Sequence, residues 1–143
     1  LTGHKTVSVG PAQYLHRQAL TRGLDGVLFY DRDGTVLETA TANVFALLRG
    51  ELLTPPAPPL ALPGVMRAFC LERLRQWGVP VREQPFLLEE LPEAEGAFLT
   101  SSLAGGVPVR EVDGQAIPVG EKLRGLLRQL HLPVPESRAG REA

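Results

Sequence analysis

The chain has 143 residues, 43% of them hydrophobic and 22% charged, which is the size and balance of one soluble globular domain. Its 15 basic and 16 acidic residues nearly cancel, and no apolar run approaches the ~20 residues of a membrane span, so neither nucleic acid nor a membrane is expected as a partner. The single cysteine excludes an internal disulfide and a cysteine metal cluster, and without a recognisable signal peptide we expect a cytoplasmic protein.

The first predicted element is a helix over residues 11–22. A proline stands at its first position and Gly23 just past its end, as is common at helix termini. Leu15, Ala19 and Leu20 are expected to form its apolar face.

Two predicted hairpins follow the helix. Residues 27–30 and 35–38 flank an Asp-Gly turn, and residues 43–48 and 51–54 flank Arg49-Gly50. Strands that arrive as hairpins favour an antiparallel or mixed sheet over a series of parallel strands joined by helices.

Residues 54–63 hold five of the thirteen prolines. Such a segment fits an interdomain linker, but each half of the chain is too small for a stable core of its own, which favours an ordered crossover inside one domain. Residues 64–77 then form the clearest predicted helix. The stripe expected on its buried face consists of Met66, Cys70, Leu74 and Trp77.

The last third predicts strands, a hairpin and a helix. The predicted elements are a strand at 79–83, a short helix or loop at 87–96, a strand at 97–102, a hairpin of 107–112 with 115–119 around Asp113-Gly114, and an amphipathic helix at 121–130. Residues 132–143 are expected to be a flexible tail.

Two segments could hold an anion. Gly64, Val65 and Met66 open a helix whose first amides have no acceptor within the helix. Ser101 and Ser102, at a strand end, offer hydroxyls and amides. From the residues alone, an ordinary helix start and ordinary turn chemistry explain both segments better.

Two charged residues are candidates for chemistry. Glu38 interrupts an apolar strand, where a carboxylate turned inward could hold a protonated ring nitrogen; an edge position is the commoner explanation. Lys5 lies in an apolar, hydroxyl-rich segment without acidic neighbours, where a lowered pKa would make it a nucleophile or base. Most lysines are solvated surface groups, and the only other lysine is Lys122.

The order of seven segments points to one family. The segments are Lys5, residues 23–25, residues 34–38, residues 43–45, residues 50–56, residues 62–67, and residues 107–109 ahead of Asp113-Gly114. This series resembles the class IV aminotransferase family, the fold-type-IV pyridoxal-phosphate (PLP) enzymes. The resemblance implies an α/β fold in which a mixed, largely antiparallel sheet curls into a pseudo-barrel with helices outside.

The resemblance also implies PLP as cofactor and assigns the site. Lys5 falls where the family's lysine is bonded to PLP, and Glu38 falls where a carboxylate binds the pyridine nitrogen. Val65 and Met66 fall at the helix-start amides that hold the phosphate. Ser101 and Ser102 fall at the family's second phosphate-contacting turn.

Within the family, two short signatures resemble the lyases. Met66 stands where aminotransferases usually have threonine, and residues 100–103 are closer to the lyase turn. They imply a 4-amino-4-deoxychorismate lyase, which eliminates pyruvate and forms p-aminobenzoate for folate synthesis. The alternatives are a branched-chain or D-amino acid aminotransferase, and an isolated domain without catalysis.

The chain also departs from the family pattern. Val9 and Gly10 stand where many relatives have a tyrosine, and Ser101 stands where lyases often have asparagine. The family's smaller N-terminal domain supplies a phosphate-binding arginine, and the resemblance implies that this domain is not among the 143 residues. We therefore expect residues 1–131 to be the C-terminal PLP-binding domain of a homodimeric enzyme with a small-molecule substrate, inactive by itself.

Overall fold

A computed structural model describes residues 10–130, so the predicted Lys5 and the predicted tail lie outside the described residues. The helices are α1 (Gly10–Thr21), α2 (Val65–Gln76) and α3 (Glu121–Gln129), with a 3-10 helix at Leu88–Glu93. The strands are β1 (Leu28–Tyr30), β2 (Val36–Thr39), β3 (Asn43–Leu48), β4 (Glu51–Thr54), β5 (Val81–Glu83), β6 (Gly96–Ser101), β7 (Gly105–Val109), β8 (Glu111–Val112) and β9 (Gln115–Ala116). None of the helices described is long and apolar enough to cross a bilayer.

The centre of the fold is a five-stranded sheet in the order β5-β4-β3-β6-β7. All neighbouring strands are antiparallel except β4 and β5, which are parallel. The turn between β3 and β4 places Arg49 and Gly50 at φ values of 52° and 79°, and this pair of positive angles matches the twist of a tight hairpin. The predicted hairpin and the predicted mixed, largely antiparallel sheet are both confirmed.

Two short hairpins flank this sheet. The β1–β2 hairpin forms as predicted, and backbone bonds from Val36 N to Phe86 O (3.0 Å) and from Leu88 N to Gly34 O (2.9 Å) dock it on the segment after β5. The last predicted hairpin is partly wrong. Only β8 and β9 form it, because residues 107–109 belong to β7 and pair with β6.

The proline segment runs between two strands of the same sheet. It leaves β4 and leads through α2 to β5, the parallel neighbour of β4. The amides of Leu60 and Ala61 both donate to Pro56 O, at 3.1 and 3.2 Å, which folds the segment into turns. This path brings the beginning of α2 beside Asn43, the first residue of β3.

Strand β3 is buried over its whole length and separates two halves of the core. Phe45 faces the helices and stacks on Phe98 of β6, with ring centroids 4.9 Å apart. The helix-side core is formed by Phe45, Leu47, Leu52, Cys70, Leu71, Leu74, Phe98, Leu123, Leu127 and Leu130. The opposite core is formed by Val36, Val44, Ala46, Leu48, Leu53, Phe86, Leu91, Ala94, Ala97 and Ile117.

Two predicted helix faces need correction. In α1 only Ala19 is buried, while Leu15 and Leu20 are each 46% exposed, so its predicted apolar face does not pack on the described core. In α2 the predicted stripe is correct for Cys70 and Leu74, which are buried, and for Met66, which packs against the core, but wrong for Trp77. The buried residues of α2 are Arg67, Cys70, Leu71 and Leu74, whereas Trp77 is partly exposed.

Candidate functional site

Glu38 points toward the segment that precedes α2. Its Oε2 accepts a hydrogen bond from Leu62 N (3.0 Å) and another from Asn43 Nδ2 (3.3 Å). Asn43 Nδ2 also donates to Leu62 O (2.8 Å). A strand residue, a buried amide and a loop backbone are therefore held together two residues before Gly64, the N-cap residue of α2.

The charge of Glu38 is only partly compensated. Burial raises the pKa of its carboxyl, and the hydrogen bond from Leu62 N acts in the opposite direction. Within residues 10–130, Glu38 forms no ion pair, and no donor reaches its Oε1. The side chain thus retains an acceptor and the capacity to hold a positive charge.

The beginning of α2 is free of side-chain caps. Gly64 is the N-cap residue, and no side chain of residues 10–130 bonds to the first turn. The first backbone bond of the helix runs from Ala68 N to Gly64 O (2.9 Å), so the three preceding amides have no acceptor within the helix. Val65 is 76% exposed, whereas Met66 packs partly against the helix-side core.

The end of β6 lies beside Asn43. Thr100 pairs with Asn43 across the sheet, and its buried hydroxyl has no hydrogen-bond partner among the described residues. In the following turn, Ser101 Oγ accepts from Ala104 N (3.1 Å), which leaves its hydroxyl hydrogen to donate, and Ser102 is exposed. No hydrogen bond joins either serine to α2 in the part of the chain that the structure describes.

Sequence reasoning assigned no role to two buried polar residues. Asn43 begins an otherwise apolar strand, and a polar residue in that position was an available signal. Arg67 lies one helical turn before Cys70 and Leu71, on the buried face of α2. Its Nη2 donates to Pro55 O (2.8 Å) and to Glu83 Oε2 (3.0 Å).

Of the two lysines, only Lys122 lies within the described residues. Lys5 lies outside the described residues, so its place relative to Glu38 is not part of this structure. Lys122, at the beginning of α3, forms an ion pair with Glu95, in which its Nζ lies 2.9 Å from Glu95 Oε2. The ion pair lowers the pKa of the Glu95 carboxyl.

The sequence comparison decides the family. The sequence model for "Amino-transferase class IV" matches residues 1–112. The chain belongs to the class IV aminotransferase family. The branched-chain-amino-acid aminotransferase of Escherichia coli K12 is 36% identical over 104 residues, which are 73% of this chain and 33% of the relative. The chain thus spans about a third of the length of the curated relatives it matches.

Solved structures agree with the predicted fold. A "Putative 4-amino-4-deoxychorismate lyase" from Legionella pneumophila is 32% identical, with a TM-score of 0.81 over 90% of this chain and 50% of that one. A hypothetical aminotransferase from Mycobacterium tuberculosis in its PLP-bound form is 26% identical, with a TM-score of 0.83 over 90% of this chain and 45% of that one. The predicted family and fold class are confirmed, and PLP is confirmed as the cofactor of the family.

Proposed function

We propose that this chain forms the PLP-binding part of a class IV enzyme. The observation that carries the proposal is the Glu38 carboxylate, held by Leu62 N and Asn43 beside the uncapped beginning of α2. PLP carries a ring nitrogen that can be cationic and a phosphate that is anionic. A carboxylate suits the first group, and free backbone amides suit the second. The described residues fit this group.

Glu38 would hold the ring nitrogen. Its Oε2 is occupied by two donors, and its Oε1 is available for a third. Because burial alone raises the pKa of this carboxyl, a protonated nitrogen at Oε1 would favour the ionised form. When bound, PLP supplies an electron sink for bonds that break beside the substrate nitrogen, and a carboxylate that keeps the ring protonated strengthens that sink.

The beginning of α2 would hold the phosphate. The amides of Val65 and Met66 have no acceptor in the helix, and the helix dipole adds positive potential there. The hydroxyl hydrogen of Ser101 and the exposed Ser102 would supply further donors from the β6–β7 turn. Each hydrogen bond to a phosphate oxygen would contribute about 1.5–3 kcal/mol.

Lys5 would be the covalent attachment point and the proton carrier. The support is its position in the family pattern and the engagement of Lys122 with Glu95. An amine beside the reacting carbon can remove a proton there and return one to the product. This role is a proposal from the sequence alone.

For the reaction, we propose elimination of pyruvate from 4-amino-4-deoxychorismate to give p-aminobenzoate. The support is Met66, the turn at residues 100–103 and the Legionella protein at 32% identity. Amino transfer is the second candidate, because curated relatives carry branched-chain aminotransferase names. A homodimer in the cytoplasm remains a prediction with either reaction.

Two measurements test the proposal on the protein expressed from its complete coding sequence. Borohydride reduction with PLP followed by peptide mapping should label the Lys5 peptide; labelling confined to Lys122 would contradict the assignment. Incubation with 4-amino-4-deoxychorismate should release p-aminobenzoate and pyruvate in equal amounts. Conversion of 2-oxoglutarate to glutamate with a branched-chain amino acid, without p-aminobenzoate formation, would favour amino transfer. We expect the 143-residue chain alone to be inactive in both assays.

A further inference from the structure

Asn43 connects three parts of the candidate site. It begins β3, is 5% exposed, and uses its Nδ2 for Glu38 on β2 and for Leu62 O in the loop before α2. A primary amide nitrogen carries two hydrogens, so both are engaged. Across the sheet it pairs with Thr100, next to the turn that carries Ser101.

The same side chain also packs against Gly64. A Cβ added at Gly64 would lie 2.2 Å from Asn43 Oδ1, well inside the contact distance of the two atoms. The backbone of Gly64 has φ −70° and ψ 142°, which any residue adopts. Gly64 is therefore required by the closeness of Asn43 to the helix start and not by backbone conformation.

We propose that Asn43 is a positioning residue that sets the separation between the Glu38 carboxylate and the amides at the beginning of α2. The inference rests on the proposed function, in which these two groups hold opposite ends of one PLP molecule. The ring nitrogen and the phosphate are joined through a few covalent bonds, so both ends bind well only at one separation of their partners. Asn43 fixes that separation because it contacts the carboxylate, the loop and the N-cap glycine at once.

The first test compares three ligands on the complete protein and its Asn43→Ala variant. PLP engages both ends of the site, pyridoxal lacks the phosphate, and inorganic phosphate lacks the ring. If Asn43 sets the separation, Asn43→Ala weakens PLP binding about tenfold or more, whereas pyridoxal and phosphate each weaken by less than about threefold. The inference is overturned if Asn43→Ala leaves the PLP affinity unchanged. It is also overturned if the affinities for all three ligands fall equally, as a general loosening of the site would cause.

The second test is a double-mutant cycle with Gly64→Ala. In the unsubstituted background the added methyl meets Asn43, so PLP binding should weaken about tenfold. With Asn43→Ala present the methyl has room, and Gly64→Ala should weaken binding by less than about twofold. An equal loss in both backgrounds would mean that the ligand itself needs the glycine, which overturns the inference.

The controls separate this inference from the function on which it rests. Circular dichroism and thermal unfolding without PLP establish that each variant folds. If Asn43→Ala does not fold, Asn43→Ser, whose short side chain cannot reach both Glu38 and Leu62, enters the same comparisons. Failure of the unsubstituted protein to bind PLP overturns the proposed function and the inference with it. If that protein binds PLP normally but the effects of Asn43→Ala and Gly64→Ala on PLP affinity add, the inference is overturned and the proposed function stands.

Discussion

One polar cluster lies just before α2 and another lies along the helix, and the carboxylates of the two clusters have opposite electrostatic surroundings. The Glu38 cluster consists of Glu38, Asn43 and Leu62, and its donors are neutral amides. The Glu83 cluster consists of Glu83 with Arg67 and Arg75, whose guanidinium groups lie 3.0 and 2.8 Å from the two carboxylate oxygens. Both clusters tie α2 to neighbouring strands.

The pKa shifts express the difference. The hydrogen bond from Arg75 is the main cause that lowers the pKa of the Glu83 carboxyl, and Arg67 lowers it further. Burial raises the pKa of the Glu38 carboxyl, because no cation in the described residues offsets it. The Glu83 carboxylate is compensated by two cations, whereas the Glu38 carboxylate retains an acceptor for a positive partner. One cluster is suited to stability and the other to binding.

The largest expected effect comes from Glu38→Gln. Glutamine keeps the shape but cannot stabilise a protonated ring nitrogen, so kcat/KM of the complete enzyme should fall about 100-fold, or about 3 kcal/mol. The free energy of unfolding without PLP should not fall, because no cation within residues 10–130 pairs with the carboxylate. Activity assays and urea unfolding check both statements. Glu111→Gln, an exposed change on β8, is the control, and equal activity of the two variants would contradict the comparison.

The next effect concerns the Glu83 cluster. Arg67 is buried, with 5% of its side chain exposed, and its Nη2 donates to Glu83 and to Pro55 O. Arg67→Met leaves both acceptors without this donor, so the free energy of unfolding should fall by about 2–3 kcal/mol. Arg73→Met, on the exposed face of the same helix, should cost less than about 1 kcal/mol. Equal losses in urea unfolding would show that burial of Arg67 is not decisive.

A smaller effect is a difference in pH dependence between the two carboxyls. A raised pKa in the folded state makes the stability contribution of Glu38 present in acid and lost as pH rises through that pKa, above its usual 4.5. A lowered pKa makes the contribution of Glu83 present above its usual 4.5 and lost as pH falls through the lowered value.

This difference predicts opposite slopes for two variants without PLP. As pH rises from about 3 to about 7, Glu38→Gln should gain stability relative to the unsubstituted protein, and Glu83→Gln should lose it. Urea unfolding at several pH values measures both. Slopes of the same sign would mean that the two carboxyls do not differ as the structure indicates.

The sequence predicted more of the fold than of the site. The hairpins at Asp33-Gly34 and Arg49-Gly50 carry local turn signals, and the glycine after α2 marks its end, so these elements were confirmed. The apolar face of α1 was wrong because helical periodicity shows which residues share a face, but not whether any element of the described chain covers it.

The site depends on contacts between distant residues. Asn43 and Leu62 are 19 positions apart, and Arg67 and Glu83 are 16 apart. Neither pair follows from local pattern. The return of the chain through the proline segment creates the first pair, and the passage from α2 to β5 creates the second. The resemblance to the family supplied candidate residues, and the structure supplies the amide and guanidinium groups around them. Lys5, Glu38, Val65, Met66, Ser101 and Ser102 stay predictions as cofactor contacts.

The smallest expected effect separates the two arginines of the Glu83 cluster. Arg75 is 55% exposed and Glu83 is 36% exposed at the side chain, so water and salt screen their ion pair. Arg75→Gln should lower the free energy of unfolding by about 0.5 kcal/mol or less, and the difference should disappear in about 1 M NaCl. Arg82→Gln, which breaks a similarly exposed pair with Glu51, should behave in the same way. If Arg75→Gln lowered the free energy of unfolding as much as Arg67→Met does, and salt did not remove the loss, the stabilising interaction would lie on the exposed side of the cluster. The contrast between a buried structural cation at Glu83 and the absence of one at Glu38 within residues 10–130 would then fail.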